Sequence, residues 1–135
     1  MNRRGQGDRI IENGGEDTRA AYAYDLRGVQ FRYGRAGNSD GGWVLRDVTL
    51  QVQPGEMLGI VGPNGSGKTS LLKLLAKLAS PQSGDITLFG RDLARLPQEE
   101  AAQTVAFVPQ EHAQLFPFTV AETVLMGRFP HRRQS

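Results

Sequence analysis

The 135-residue chain contains no cysteine. Disulfide bonds, cysteine-ligated zinc sites and iron–sulfur clusters are therefore excluded as sources of its chemistry. Lysine is also scarce, occurring only as Lys68, Lys73 and Lys77, and the formal net charge is +2. Because nucleic-acid-binding proteins concentrate basic residues on one face, this weak positive balance argues against a nucleic-acid partner.

A long hydrophobic segment is missing as well. The longest apolar stretch, 71–79, is interrupted by Lys73 and Lys77, whereas a membrane-spanning helix needs roughly 18–20 apolar residues. We therefore expect no direct insertion into a membrane. Arg3 and Arg4 are followed by polar residues instead of the apolar core of a secretory signal, so no such signal is expected.

Residues 1–24 are polar, dotted with glycine and balanced in charge. A segment of this kind buries little apolar surface, so we predict a disordered extension. Residues 25–135 are left to form the hydrophobic core.

Alternating apolar residues predict β-strands on both sides of a polar loop at 34–42. The alternation runs from Val29 to Tyr33 and returns from Val48 to Val52. This period of two predicts an antiparallel hairpin. The nearly continuous apolar run Met57–Val61 predicts a strand that is buried on both faces.

Helical periodicity begins after Gly67. A helix over 69–78 is predicted by an apolar stripe that consists of Leu71, Leu74, Leu75 and Leu78. A strand over 86–89 and a short helix over 97–102 follow. Thr119 and Glu122 have the spacing of a capping box, which predicts a helix that begins there and ends near Gly127.

Residues 62–69 read GPNGSGKT and match the pattern G-x-x-x-x-G-K-[ST]. This phosphate-loop motif requires a buried strand before it and a helix after it, and both are predicted here. A glycine-rich turn without a ligand is the structural alternative. The residues of the loop are Gly62, Pro63, Asn64, Gly65, Ser66, Gly67, Lys68 and Thr69.

The residue types of the loop suit the binding of a triphosphate. Unpaired amides at a helix N-terminus attract anions, and Gly65 and Gly67 allow the backbone to point its N–H groups inward. Lys68 is expected to reach the β- and γ-phosphates, and the Thr69 hydroxyl is expected to ligate Mg²⁺.

The motif stands in a context that resembles the N-terminal part of the ATP-binding subunits of ABC transporters. The matching segments are 29–33, 44–52, 55–75, 84–90, 105–110 (VAFVPQ) and 119–131 (TVAETVLMGRFPH). The resemblance implies an α/β fold, namely a P-loop NTPase core with an antiparallel β-hairpin on its N-terminal side. It extends over 25–135 as a partial domain.

The resemblance also implies ligands and partners. ATP and Mg²⁺ are the expected cofactors, and Ser70 joins the loop as a nucleotide-binding residue. The expected partners are a second ATP-binding subunit, which forms a dimer across ATP, and transmembrane permease subunits. The expected location is cytoplasmic, at the inner face of the cell membrane.

Two further residues receive roles from the resemblance. Tyr33 matches the aromatic that stacks on adenine, and the alternative is an ordinary aromatic that packs in the core. Gln110 matches the glutamine that contacts Mg²⁺ or the attacking water, and the alternative is a polar residue that ends a strand. Lys68 and Gln110 are thus expected to support catalysis, with Thr69 and Gln110 at the metal.

The sequence contains no LSGGQ segment, no apolar run that ends in Asp-Glu, and no assignable switch histidine. In the family these elements carry the signature motif and the general base. We therefore interpret the chain as a partial product of an ATPase that binds ATP without hydrolysing it alone. The alternatives are a non-catalytic nucleotide-binding fragment and a small P-loop metabolite kinase, against which the two strands before the loop argue.

The segment 118–131 resembles subunits that energise uptake of iron–siderophore, haem or cobalamin complexes. The alternative is a simple helix terminus with no bearing on the solute.

Overall fold

An antiparallel sheet forms the centre of the described structure. The computed structural model describes residues 22–34, 42–110 and 117–131, so most of the predicted extension and of the loop at 34–42 lies outside the described residues. The sheet has the order β2-β1-β3-β4, and every pair is antiparallel. Its strands are β1 (Tyr24–Phe31), β2 (Leu45–Val52), β3 (Ser83–Leu88) and β4 (Arg91–Asp92). The predicted hairpin is confirmed.

Strand β1 begins at Tyr24, before the alternation that starts at Val29. Tyr24 pairs with Val52 on one side and with Leu88 on the other. Neighbouring strands bond to this segment from both sides, and residues 24–27 themselves alternate between apolar and polar side chains. The alternation changes phase before Val29, where the register with β2 shifts between Leu26 and Val29. The strand ends at Phe31, so Tyr33 lies beyond it.

Helix α1 (Lys68–Leu75) packs on the sheet through its leucines. Leu74 is fully buried together with Leu26 and Val29 of β1. The Tyr24 hydroxyl donates a hydrogen bond to the Leu75 carbonyl oxygen at 2.9 Å, which satisfies a carbonyl at the helix C-terminus. Burial raises the pKa of Tyr24. The sheet thus anchors both the side and the end of the helix that carries the loop.

The predicted continuation of α1 through Leu78 is wrong. Lys77 has a left-handed backbone with φ 56°, and the Leu78 N–H donates to the Lys73 carbonyl at 2.8 Å. This bond closes the helix end in the manner of a left-handed C-cap. The Lys77 ammonium donates to the Leu93 carbonyl, so a tertiary contact holds the termination and leaves Leu78 exposed.

The predicted buried strand Met57–Val61 is also wrong. No strand is assigned there, and Met57 and Val61 are 98% and 94% exposed. Ile60 alone in this run packs against the core. A strand needs hydrogen-bonding neighbours, and no described strand pairs with this segment.

Two short α-helices and a 3₁₀ turn (Phe129–His131) complete the described structure. Helix α2 (Gln98–Thr104) follows Pro97 and confirms the helix predicted there. Helix α3 (Val120–Met126) carries the predicted capping box, in which the Thr119 side chain accepts from the Glu122 N–H and the Glu122 carboxylate accepts from the Thr119 N–H. These bonds lower the pKa of Glu122. In the described ranges, no helix has the length and apolar character that a membrane crossing requires.

Candidate functional site

The glycine-rich loop leads directly into the first turn of α1. Gly67 is the N-cap residue, with φ 91°, and a Cβ atom there would lie 2.8 Å from the Leu45 side chain. Only glycine therefore permits this close approach of the loop to β2. No side chain caps the helix, and its first turn contains no acidic residue. The terminal N–H groups can consequently serve an anion.

The Lys68 side chain folds back over this loop. Its Nζ donates to the carbonyl oxygens of Gly62 at 2.8 Å and Pro63 at 2.7 Å, and it lies 3.3 Å from Ser66 Oγ. These acceptors are uncharged, so they orient the ammonium without neutralising it. The positive charge is held where an anion on the loop would meet it.

A cleft of about 370 Å³ opens beside the loop. It brings together residues from the end of β1, from the loop and from the segment after α2, although they are distant in sequence. The cleft is lined by Tyr33, Val44, Asn64, Gly65, Gly67, Lys68, Thr69, Ser70 and Gln110. Its volume is in the range of small-molecule sites. The sequence-predicted residues Gly62, Pro63 and Ser66 are not among the lining residues, and they contact the Lys68 ammonium instead.

A second depression, near Gly55, is larger at about 600 Å³. It is lined by Gln51, Gln53 and the carboxylate of Glu56, among others. It contains neither a helix N-terminus nor a lysine, and Glu56 would repel a phosphate. The smaller cleft is therefore the better candidate for an anionic ligand.

Tyr33 combines both interpretations of its sequence position. Its ring lies against Phe31 with centroids 4.9 Å apart and an interplanar angle of 79°, so it does pack on the core. The residue nevertheless remains 54% exposed to solvent, and it lines the cleft. Its hydroxyl lies 3.0 Å from Ser70 Oγ, within hydrogen-bond distance. An aromatic surface is thus available to a planar ligand.

Thr69 and Gln110 line the same cleft as Lys68. A hydroxyl and an amide carbonyl are hard oxygen ligands of the kind that Mg²⁺ accepts, and Mg²⁺ usually keeps waters and phosphate oxygens as its other ligands. Within the part of the chain that the structure describes, no cluster of three His, Cys, Asp or Glu side chains could hold a metal ion. The donor set fits a metal delivered with a phosphate ligand.

Val44 belongs to the cleft but carries no motif. Its N–H donates to the Phe31 carbonyl at 2.9 Å, and its own carbonyl oxygen would lie 3.0 Å from a Cβ atom at Gly67, which places it against the loop. Only its position just before β2 could have indicated this, because an isolated valine has no distinctive pattern.

Comparison with known proteins adds a family and several relatives. A family model described as ABC transporter matches residues 45–134. The hemin import ATP-binding protein HmuV of Pseudomonas entomophila is 48% identical over 88 residues, which are 65% of this chain and 34% of that protein. The cobalamin import ATP-binding protein BtuD of Halobacterium salinarum is 40% identical over 88 residues, 65% of this chain and 22% of that protein. The match thus spans about a third or less of these relatives.

Solved structures agree on the fold. A dimeric ATP-binding cassette in a post-hydrolysis state, bound to ADP and Pi, aligns with a TM-score of 0.70 and 24% identity, covering 83% of this chain and 49% of that one. A bacterial Atm1-family ABC exporter with ATP bound aligns with a TM-score of 0.58 and 28% identity, covering 67% and 15%. The predicted α/β fold is confirmed as that of part of an ATP-binding cassette.

Proposed function

The chain belongs to the ABC transporter family of ATP-binding domains, and from this premise we propose that the cleft beside α1 binds Mg·ATP. The observation that carries the proposal is the convergence of an ammonium, an uncapped helix N-terminus and a half-exposed aromatic ring in one cleft. These groups match the phosphates and the base of a nucleotide in chemistry.

The phosphates would lie on the loop and the base on Tyr33. The first N–H groups of α1 donate to phosphate oxygens, and Lys68 adds charge-assisted hydrogen bonds worth about 1.5–3 kcal/mol each. Stacking on an aromatic ring contributes about 1–3 kcal/mol per base. The phosphate contacts supply most of the affinity, and Tyr33 supplies the preference for a nucleotide over an inorganic triphosphate.

Thr69 and Gln110 would hold Mg²⁺ together with the phosphate oxygens. The bound ion supplies neutralisation of charge on the β- and γ-phosphates. The protein's part is to orient a hydroxyl and an amide oxygen towards that position, which their shared place in the cleft supports.

We expect this chain alone to bind ATP without turning it over. The 135-residue sequence has neither an LSGGQ segment nor an apolar run ending in Asp-Glu, and a general base contributes typically 10²–10⁴-fold to a rate. Lys68 and Gln110 would support catalysis in a full-length protein that contains these elements. A purely non-catalytic nucleotide-binding module is the second candidate function, favoured by the same absence.

In the full-length protein the site would serve the energy-coupling subunit of an importer. The names of the relatives support this, because they describe ATP-binding proteins for hemin and cobalamin import. Siderophore import rests on the resemblance of 118–131 alone. The subunit would pair with a second ATP-binding subunit across ATP and dock on permease subunits at the cytoplasmic face of the membrane.

Titration of a fluorescent ATP analogue tests the binding proposal. The 135-residue chain should bind the analogue in the presence of Mg²⁺, and Lys68→Ala should weaken binding at least tenfold, since at least one charge-assisted bond is lost. Lys73→Ala is the matched control, because Lys73 lies on the same helix but outside the cleft. Equal affinity for the native chain and Lys68→Ala would refute the proposal.

A further inference from the structure

Ser70 is a buried residue of the helix that follows the phosphate loop. It lies in the first turn of α1, two residues after Lys68, and only 5% of its surface is exposed. Its hydroxyl is 3.0 Å from the hydroxyl of Tyr33, which is 37 residues away in sequence. Ser70 is thus the first buried residue of α1, and its hydroxyl lies within hydrogen-bond distance of the Tyr33 hydroxyl.

Tyr33 needs such an anchor because it lies past the end of β1. Its ring has an edge-to-face contact with Phe31, which is itself buried. That contact restrains one part of the ring, and the hydrogen bond to Ser70 restrains the hydroxyl at its tip. The ring is thus held at two points, while the residue as a whole stays exposed and lines the cleft.

We propose that Ser70 is a positioning residue for the nucleotide base, acting through its hydrogen bond to Tyr33. The inference rests on the proposed function, since it concerns the ring on which the base would stack. The bond joins the base platform to the helix turn that carries Lys68 and Thr69. Preorganisation of the ring reduces the ordering cost of binding a base and leaves the phosphate contacts unchanged.

The proposal predicts different effects of the variants on the affinity for ATP and on the affinity for inorganic triphosphate. Loss of a neutral hydrogen bond changes a free energy by about 0.5–1.5 kcal/mol, which corresponds to roughly two- to tenfold in affinity. Ser70→Ala and Tyr33→Phe should each weaken ATP by this factor and leave inorganic triphosphate within about twofold of the native value. The double variant should be no weaker than the single variants, because all of them remove the same bond.

The experiment is a competition titration of ATP and inorganic triphosphate against the fluorescent analogue, with the full 135-residue chain. Ser70→Thr retains a hydroxyl and should restore the preference for ATP. Thr87→Val is the matched control, since it removes a buried hydroxyl that has no partner among the described residues and lies outside the cleft. Thermal unfolding of each variant, followed by fluorescence of the single tryptophan, shows which variants are folded.

Three results of this titration would overturn either the role of Ser70 or the proposed function. Equal losses for ATP and triphosphate in folded Ser70→Ala would mean that the hydroxyl serves a phosphate or the helix, and would overturn the proposal. An unchanged ATP affinity in Tyr33→Phe would do the same, and this variant keeps the ring and its contact with Phe31. Binding of ATP that does not depend on Lys68 would instead refute the proposed function itself.

Discussion

Gly84, on β3, lies directly against the backbone of β1. Its backbone φ is +85°, and a Cβ atom there would lie 2.4 Å from the Gly28 carbonyl oxygen and 2.6 Å from that of Arg27. These are backbone atoms of the central strand β1, so they cannot move aside as the tip of a flexible side chain can. The register between β1 and β3 shifts at this point, between Arg27 and Gln30.

Gly84→Ala should therefore destabilise the fold strongly. A left-handed backbone costs a residue with a Cβ roughly 1–2 kcal/mol, and forcing a methyl group into a packed region costs about 1–3 kcal/mol more. The sum of about 2–5 kcal/mol is a large part of the roughly 5–15 kcal/mol that stabilises a typical domain. The midpoint of urea unfolding should fall by about 1 M or more, given a slope of about 1–3 kcal/mol per M.

Gly55 offers a matched control for this substitution. Its φ is +77°, but a Cβ there would have no atom within 4 Å. Gly55→Ala should therefore show the backbone cost of about 1–2 kcal/mol without the steric one. Urea unfolding, followed by far-ultraviolet circular dichroism, measures both variants. Equal destabilisation by the two substitutions would show that the contact with β1 contributes nothing and would refute the reasoning.

Further predictions concern the ligand, the helix cap and the assembled transporter. Tyr33→Ala should weaken ATP about 5- to 150-fold, as loss of stacking implies, while inorganic triphosphate stays unchanged; equal losses would assign Tyr33 to packing. Phosphate release by the purified chain should not exceed that of Lys68→Ala, and Lys68-dependent turnover of roughly 1 s⁻¹ or more would contradict this. The capping bonds lower the pKa of Glu122. Their stabilising effect is therefore present above the pKa that Glu122 has in the unfolded chain, and it is lost as pH falls through the lower pKa of the folded chain. Thr119→Ala should raise the pKa of Glu122 in an NMR titration, and an unchanged pKa would refute the assignment of the shift to the capping bonds. A full-length protein containing this chain, expressed with its own permease, should restore haem, cobalamin or siderophore uptake to a deficient cell and should fail to do so with Lys68→Ala; rescue of sugar uptake alone would overturn the solute class.

The phosphate loop is the part of the site that the sequence could predict alone. Its requirements are local: glycines such as Gly67 for a left-handed turn, a lysine and a hydroxyl at the start of a helix, all within eight consecutive positions. Tyr33 and Gln110 could be proposed only through family resemblance, because no local pattern connects them to the loop. Their presence in one cleft with Lys68 is a result of tertiary packing, and so is the bond between Tyr33 and Ser70.

Elements whose stability is local can be predicted from the amino-acid sequence. The antiparallel hairpin follows from alternating residues, and the start of α3 follows from the capping pair Thr119 and Glu122. The end of α1 depends instead on tertiary contacts, because Lys77 has a left-handed backbone and its ammonium donates to the Leu93 carbonyl. The lack of a strand at Met57–Val61 likewise depends on the tertiary structure. An apolar run indicates that burial of the segment would be favourable, but a β-strand forms only where a neighbouring strand pairs with its backbone N–H and C=O groups.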